Sequence, residues 1–201
     1  MILMERDKNI LRHIEKYKSI TITQCSKIFY RNHKQAYYQA RKRLSILYKN
    51  KYLKKYRKDP RSETIYFLNK HLSYHDLKVF DIYADLINMG ADILFFKTKY
   101  RINNPSGYRE IDALIECKYN GYFYPIILEI DLSHFTTIEK LNDIYNSKHF
   151  QDKYKKLAPD IFPTVLILRP YLPLDSLNSD SFDVLVMQFN NYSLESLFGD
   201  D

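Results

Sequence analysis

The chain has 201 residues, 45% of them hydrophobic and only 4 of them glycine, so it can bury a core in one domain or two small ones. Its two cysteines, Cys25 and Cys117, argue against a disulfide framework or a cysteine metal site and favour a reducing, cytoplasmic location. No run of about 18 apolar residues is present, and the apolar stretch at the N-terminus is too short for a signal peptide. The sequence therefore predicts a protein with no membrane segment.

Charge is distributed unevenly along the sequence. Residues 1–72 contain 19 Lys and Arg against 5 Asp and Glu, a net charge of +14, whereas residues 73–201 have a net charge of −7. A basic half of this kind is typical of a module that binds a polyanion, although a lysine-rich surface without such a role has the same composition. We therefore predict two domains, 1–72 and 73–201, and rely on the residue pattern to assign their functions.

Apolar residues at helical spacing predict three helices in the basic half. The inward stripe of the first helix consists of Ile10, Leu11, Ile14 and Tyr17. The second helix begins at Thr21, and Gln24 three residues later completes a capping-box pattern. The third helix is predicted to begin at the N-cap residue Asn32. Its expected inward stripe consists of Tyr37, Ala40, Leu44 and Leu47.

The outer face of the third helix is rich in long hydrogen-bond donors and contains no acidic residue. The residues of this helix that we expect to contact DNA are His33, Lys34, Gln35, Tyr38, Arg41 and Lys42. Two β-prone segments, 52–58 and 64–68, flank a polar turn and predict a hairpin. The basic residues of this hairpin that we expect to contact DNA are Lys55, Arg57, Lys58 and Arg61.

Three helices followed by a basic hairpin form the order of a winged helix-turn-helix domain. In such a domain the third helix enters the major groove, and lysine and arginine side chains neutralise phosphates. The sequence therefore predicts that residues 1–72 bind double-stranded DNA. An adaptor that docks another protein through its basic half is the alternative from a different class.

The acidic half shows the order α-β-β-β-α-β-β. Its first helix is predicted to run from the N-cap residue Ser73 to Met89, with Gly90 as its stop. Strands are predicted at residues 93–101, 110–118, 122–131, 164–169 and 183–189. One long helix is predicted between the third and fourth of these strands, from residue 136 to residue 157.

The dipeptide Asn120-Gly121 predicts a two-residue type I′ turn, which fixes the register of a hairpin. One face then consists of the apolar pairs Ile111–Ile130, Ala113–Leu128, Ile115–Ile126 and Cys117–Tyr124. The other face consists of Glu110–Asp131, Asp112–Glu129, Leu114–Ile127 and Glu116–Pro125. This register predicts a cluster of four carboxylates at the open end of the hairpin.

Like charges on facing strands destabilise a sheet, so the predicted cluster requires compensation. A divalent cation such as Mg²⁺ or Mn²⁺ would provide it, because carboxylate oxygens are hard ligands. Basic neighbours such as Lys99, Arg101 or Arg109, or exposure to solvent, would provide it equally. The sequence leaves these three explanations open.

The order α-β-β-β-α-β, with Asp112 and Glu129 on successive strands, resembles the PD-(D/E)xK nuclease fold. The resemblance implies that Asp112 and Glu129 hold the metal and are catalytic, with Asp131 as a further metal ligand. The third-strand motif is Glu129-Ile130-Asp131, so Asp131 occupies the position of the family lysine. Lys140 or Lys148 on the following helix could supply a displaced amine.

The whole chain resembles the replication-relaxation family of plasmid and phage proteins, which join a winged helix to a nuclease-like domain. The motifs that carry this resemblance are His75-Asp76-Leu77, Ile111-Asp112-Ala113-Leu114, Leu128-Glu129-Ile130-Asp131, and Lys140-Leu141 with Tyr145. They fall in the family order within about residues 5 to 170. The resemblance implies DNA binding in the replication or maintenance of a mobile element.

The expected fold class is thus α+β, with a winged helix-turn-helix followed by a PD-(D/E)xK nuclease-like domain. The expected function is double-stranded DNA binding in replication, mobilisation or transcriptional control of a plasmid, phage or conjugative element. We expect a homodimer, with replication or mobilisation proteins as possible partners and the nuclease-like domain serving self-association or partner binding without a cofactor. The alternative is a Mg²⁺- or Mn²⁺-dependent endonuclease that the winged helix directs to DNA.

Overall fold

The computed structural model describes residues 2–104, 107–158, 160–171 and 177–199. The chain separates into two compact units, Met1–Met89 and Gly90–Asp201. Helices and strands occur in both units, so the mixed α+β class is confirmed. Within the described ranges, no helix is both long enough and apolar enough to cross a membrane.

The N-terminal unit contains four helices and a small antiparallel sheet. Its helices are α1 (Glu5–Tyr17), α2 (Ile22–Phe29), α3 (Ala36–Lys49) and α4 (Tyr74–Met89). Its strands are β1 (Ser19–Thr21), β2 (Lys54–Tyr56) and β3 (Ile65–Phe67), in the order β1-β3-β2. The predicted hairpin is confirmed by the pairing of β2 with β3, whereas β1 was not predicted because three residues are too few to show a strand pattern.

The predicted capping box of α2 is confirmed. The N–H of Gln24 donates to the Thr21 hydroxyl over 3.1 Å, and the N–H of Thr21 donates to Gln24 Oε1 over 3.0 Å. These bonds satisfy two backbone donors that the start of a helix leaves free. The helices enclose a core whose fully buried members include Ile10, Ile20, Cys25, Leu44 and Leu47.

Helix α4 belongs with the N-terminal unit. Gln24 of α2 donates through Nε2 to the Leu77 carbonyl oxygen over 3.0 Å and to Asp81 Oδ1 over 2.8 Å. Lys27 forms an ion pair with Asp85 on the next turn of α4. These contacts make α4 part of the N-terminal unit, which ends at Met89. The boundary predicted from the sequence lies before α4, between residues 72 and 73.

The C-terminal unit is built on a mixed five-stranded sheet in the order β4-β5-β6-β7-β8. Its strands are β4 (Asp92–Asn104), β5 (Gly107–Tyr119), β6 (Tyr122–Ile130), β7 (Thr164–Arg169) and β8 (Val184–Gln188). The first three are antiparallel, and β7 and β8 run parallel to β6. A short 3₁₀ helix, Leu194–Leu197, follows the last strand.

The predicted hairpin register is confirmed over most of its length. The pairs Ala113–Leu128, Leu114–Ile127, Ile115–Ile126, Glu116–Pro125 and Cys117–Tyr124 all form. Asn120 and Gly121 both have positive φ, 49° and 86°, as a type I′ turn requires. The turn and the apolar face therefore specify the same register.

The predicted long helix between β6 and β7 is wrong: the structure has two helices, α5 (Ile138–Asn146) and α6 (His149–Tyr154). Lys148 adopts a left-handed backbone with φ of 59°, which ends the helical path. The Ser147 hydroxyl donates to the Ile144 carbonyl oxygen over 2.6 Å and occupies an acceptor at the end of α5. Residues 147 and 148 lack the glycine or proline that signals a break in sequence, so the apolar pattern runs through them.

Candidate nucleic-acid interface and carboxylate site

Helix α3 begins three residues later than predicted, with Gln35 instead of Asn32 as its N-cap and Ala36 as its first residue. The expected N-cap, Asn32, lies in a turn, and the N–H of Ala36 donates to the His33 carbonyl oxygen over 3.0 Å. The prediction that His33, Lys34 and Gln35 belong to the helix face is therefore wrong. All three are exposed in the segment that leads into α3.

The exposed face of α3 carries Tyr38, Arg41 and Lys42, as predicted. The predicted inward residues Ala40, Leu44 and Leu47 are fully buried. Tyr37 was predicted to join them but is 49% exposed, because Ala36 of the same turn packs against the core instead. The first turn of α3 thus presents two neighbouring tyrosine rings to solvent.

The three consecutive basic residues of α3 have different environments. Arg43 donates through its guanidinium to Asp7 of α1, whose carboxylate is buried. Burial opposes ionisation of Asp7, yet hydrogen bonds from Arg43 and from the Met4 N–H hold its pKa below the ordinary value. Arg41 and Lys42 are exposed and make no ion pair with any other described residue. They are therefore available to an external anion.

The β2–β3 hairpin adds further cations. Lys55 Nζ lies 4.4 Å from the centre of the Tyr48 ring, and Arg57 donates to the Thr64 hydroxyl through Nε and Nη2 over 2.9 and 2.6 Å. Lys58 and Arg61 are exposed and form no ion pair within the described ranges. All four predicted hairpin residues therefore place their charge at the protein surface.

The tip of this hairpin is fixed by Asp59. Hydrogen bonds from the hydroxyl and N–H of Ser62 and from the N–H of Arg61 hold the pKa of Asp59 below its ordinary value. This carboxylate therefore stays ionised while it organises the turn. The basic side chains on either side consequently extend from an ordered tip.

The four predicted carboxylates of the C-terminal unit do not form the expected cross-strand pairs. The β5–β6 ladder ends at Ala113–Leu128, so the pairs 110–131, 111–130 and 112–129 are absent from the described ladder. Asp112 explains this ending, because its Oδ2 accepts the Ile130 N–H over 2.7 Å. The Asp112 carboxylate thereby replaces a backbone carbonyl of β5 as the acceptor for this N–H, and the pairing of β5 with β6 stops here.

Two of these carboxylates are neutralised by separate arginines. Glu110 accepts from Arg101 Nε over 2.8 Å at the exposed end of the hairpin. Asp131 is 3% exposed and accepts from Arg169 Nε over 2.7 Å. It also accepts from the N–H of Thr136 over 3.0 Å and from the Thr136 hydroxyl over 2.8 Å. Asp131 is therefore directed into a buried network.

Glu129 and Lys140 form the most unusual pair in the unit. Lys140 Nζ lies 2.6 Å from Glu129 Oε1, and the Glu129 side chain is 4% exposed. Burial raises the pKa of Glu129 to about 7, and the charges of Asp112 and Asp131 raise it further, whereas Lys140 opposes the rise. A buried carboxyl with a shifted pKa beside an amine is a common feature of functional sites.

The predicted metal set of Asp112, Glu129 and Asp131 is not brought together. Among the residues that the structure describes, no group of three or more His, Cys, Asp or Glu could hold a metal ion. Asp131 is bound by Arg169 and Thr136, whereas Glu129 is paired with Lys140 and is influenced by the charge of Asp112. The structure therefore brings together only part of the predicted catalytic group.

Two residues that the sequence analysis did not single out complete this site. Arg169 neutralises Asp131 and also donates through Nη2 to the Thr136 carbonyl oxygen over 2.8 Å. Thr136 joins the loop after β6 to the same network. Arg169 lies 38 residues from Asp131 in sequence, and no local motif connects the two. Only the parallel pairing of β6 with β7 makes them neighbours.

Comparisons with protein-family models, curated proteins and solved structures found no match for this chain.

Proposed function

We propose that the N-terminal unit binds double-stranded DNA through α3 and the β2–β3 hairpin. The observation that carries the proposal is a set of exposed cations, on these two elements and on the segment that leads into α3, with no ion-pair partner among the described residues. Its members are Lys34, Arg41, Lys42, Lys58 and Arg61. Exposed lysine and arginine bind phosphates by releasing counterions from the DNA.

The arrangement of elements supports a winged helix-turn-helix reading. A short connection joins α2 to α3, and a sheet that includes the basic hairpin follows α3 in the chain. An α-helix fits the major groove, and its first turns reach the base edges. The first turn of α3 presents Tyr37 and Tyr38, whose rings suit contact with thymine methyl groups.

The resemblance to the replication-relaxation family extends the proposal to a pathway. On that resemblance the protein acts in the cytoplasm in replication, mobilisation or transcriptional control of a plasmid, phage or conjugative element. A homodimer would bind two half-sites, and replication or mobilisation proteins would be its partners. The C-terminal unit would then serve self-association or partner binding.

The salt dependence of DNA binding tests the proposal. We expect Arg41→Ala/Lys42→Ala to weaken binding to a mixed-sequence duplex by about 10- to 100-fold near 0.1 M salt, because two phosphate contacts are lost. The slope of log K against log salt should fall by about 2. Fluorescence anisotropy at several salt concentrations measures both quantities.

The double variant Lys155→Ala/Lys156→Ala provides a matched control, because it also removes two adjacent exposed cations, in this case from the C-terminal unit. We expect its affinity and salt slope to equal those of the wild type. A flat salt slope in the wild type, or equal losses in both double variants, would contradict a contact through α3. The adaptor reading would then be favoured.

A second candidate function is metal-dependent cleavage of DNA, favoured by the position of Lys140 against Glu129. In the fold that the sequence resembles, a lysine near the acidic ligands assists activation of water, and Lys140 of α5 would take that role. Asp112 and Glu129 would provide carboxylate oxygens to Mg²⁺ or Mn²⁺, which commonly retains several waters. Asp131 is bound by Arg169 and Thr136, so Asp112 and Glu129 are the two of the predicted ligands that remain for the metal.

Nicking of supercoiled plasmid in Mg²⁺ or Mn²⁺ separates the two functions. If the C-terminal unit serves only contacts between proteins, we expect no nicking by the wild type at any metal concentration. Nicking that is lost in Asp112→Ala and kept in Glu110→Ala would establish an endonuclease. Glu110 is a suitable control because its carboxylate pairs with Arg101 at the surface.

A further inference from the structure

A cavity of about 360 Å³ lies within the N-terminal unit, between the β2–β3 hairpin and the start of α4. We name it the wing pocket. Its lining residues are Thr21, Tyr56, Lys58, Ser62, Glu63, Ile65, His71, Leu72, Ser73, Tyr74, Leu77, Lys78 and Asp81. The volume falls in the range of small-molecule sites and fits a ligand of one or two fused rings.

Two stacked aromatic rings belong to the lining of the wing pocket. The rings of Tyr56 and His71 are stacked, with centroids 4.4 Å apart and an interplanar angle of 4°. The Phe67 ring meets His71 edge-on at 5.6 Å and restricts its rotation. Ile65, at 9% exposure, and Leu72, at 8%, contribute apolar surface to the lining. The Tyr56 ring is 41% exposed, so the part that His71 does not cover is open to stacking with a planar ligand.

The acidic groups of the pocket already have partners. Glu63 Oε1 accepts from the N–H and the hydroxyl of Thr23 over 2.6 and 2.8 Å. Asp81 accepts from Gln24 over 2.8 Å and from Lys78 over 2.9 Å. These carboxylates are thus occupied by donors from the protein, and so is the Lys78 ammonium.

The polar groups that remain are Lys58 and one nitrogen of His71. Lys58 makes no ion pair within the described part of the chain. His71 Nδ1 lies 2.9 Å from the Leu72 carbonyl oxygen, so this nitrogen carries the proton that it donates. The other ring nitrogen, Nε2, has no hydrogen-bond partner among the described residues. Lys58 is therefore the lining cation that has no ion-pair partner in the described part of the chain, whereas Lys78 is paired with Asp81.

We propose that the wing pocket binds a small planar aromatic carboxylate. The aromatic ring lies on the exposed part of the Tyr56 ring, and the carboxylate forms an ion pair with Lys58. A hydroxyl on the ring donates to His71 Nε2. Lys58 is also one of the cations proposed to contact DNA, so ligand binding is tested in the absence of DNA.

Calorimetric titration of the full chain without DNA tests the proposal. The probes are 6-hydroxy-2-naphthoate and its neutral analogue, 6-hydroxymethyl-2-naphthol. We expect the carboxylate to bind with 1:1 stoichiometry and to displace the ring resonances of His71 and Tyr56 in NMR spectra. The neutral analogue should bind at least about tenfold more weakly, since it cannot pair with Lys58.

Two variants and a control locate the binding site. Lys58→Gln and His71→Ala should each weaken binding of 6-hydroxy-2-naphthoate by about tenfold or more. Lys54→Gln removes an equivalent exposed charge from the same hairpin outside the pocket and should leave the affinity unchanged. Lys58 is exposed, so its replacement tests the proposal even if His71→Ala disturbs folding.

Three results would overturn the proposal. The first is no 1:1 binding of the carboxylate by the wild type at concentrations up to about 5 mM, the limit of a weak specific site. The second is equal affinity for the neutral analogue. The third is equal binding by wild type and Lys58→Gln, which would place the ligand elsewhere.

Discussion

Arg169→Met is expected to destabilise the C-terminal unit by about 3–5 kcal/mol, because it leaves a buried carboxylate without its cation. Asp131 is 3% exposed and Arg169 is 6% exposed, so neither charge is screened by solvent. Methionine approximates the length of the aliphatic part of arginine, so the lost charge is the main change. The two hydrogen bonds from Thr136 remain but do not neutralise Asp131.

Urea unfolding followed by circular dichroism measures this loss. The two compact units can unfold separately, so amide exchange at Leu166 and Leu168 of β7 assigns the effect to the C-terminal unit. Asp131→Asn/Arg169→Met should be more stable than Arg169→Met, because the unpaired charge is removed together with its partner.

The exposed pair Arg109–Asp143 provides the comparison. Both side chains are nearly half exposed, and Arg109→Met should cost less than about 1 kcal/mol. If Arg169→Met cost as little as Arg109→Met, Asp131 would not depend on Arg169. The loop that leads to α5 and Lys140 would then be held by Thr136 alone.

The hairpin shows how far local sequence rules reach. Asn120-Gly121 fixes the turn, and the apolar alternation on both strands fixes the same register, so the pairs from 113 to 119 were predictable. The register fails at Asp112, where a side chain accepts the Ile130 N–H. The alternation of apolar and polar residues cannot predict that a side chain will compete for a backbone N–H. The predicted cross-strand carboxylate pairs therefore do not form.

The start of α3 shows a similar limit. Asn32 has the chemistry of an N-cap, but a turn through His33 delays the helix to Ala36. The predicted cations nevertheless remain exposed, because surface position depends on the apolar stripe of Ala40, Leu44 and Leu47. The exposed face of α3 was therefore predictable from the spacing of its apolar residues. The residue at which α3 begins was not, because it depends on how the preceding turn packs in the folded chain.

The pairing of Glu129 with Lys140 was only partly predictable. The position of Lys140 on the helix after β6 marks it as a displaced amine, but no sequence pattern predicts the burial that raises the pKa of Glu129 to about 7. That burial arises because β6 is the central strand of the sheet. Its neighbour β7 pairs with it through residues that lie 38 positions later in the sequence. Distant packing thus determines the protonation of a residue that local motifs had identified.

Glu129→Gln is expected to remove a pH dependence of stability worth roughly 3 kcal/mol. The pKa of Glu129 is raised to about 7 in the folded state from its ordinary value of 4.5, and each pKa unit corresponds to about 1.4 kcal/mol. Between these values the folded state retains a proton that the unfolded state has released. Stability of the wild type therefore falls as pH rises from about 4.5 to about 7 and then levels.

Unfolding by urea between pH 4 and pH 8, with EDTA present to exclude divalent cations, measures this dependence. Wild type and Glu129→Gln are compared at each pH, so other titrating groups cancel. At pH 4 both carry a neutral residue 129 and should have similar stability. At pH 8 the glutamine variant should be the more stable by roughly 3 kcal/mol, since it avoids a buried charge.

Lys140→Met tests the electrostatic origin of the effect in the opposite direction. The charged groups that act on Glu129 are Lys140, Asp112 and Asp131, and only Lys140 favours the ionised carboxylate. Without the ammonium the pKa of Glu129 should rise above 7, and the loss of stability should continue to higher pH. A Glu129 carboxyl resonance that titrates near pH 4.5 in both proteins would show that burial does not control this group. Titration near 7 that moves upward in Lys140→Met would establish that the amine sets the charge at the centre of the carboxylate site.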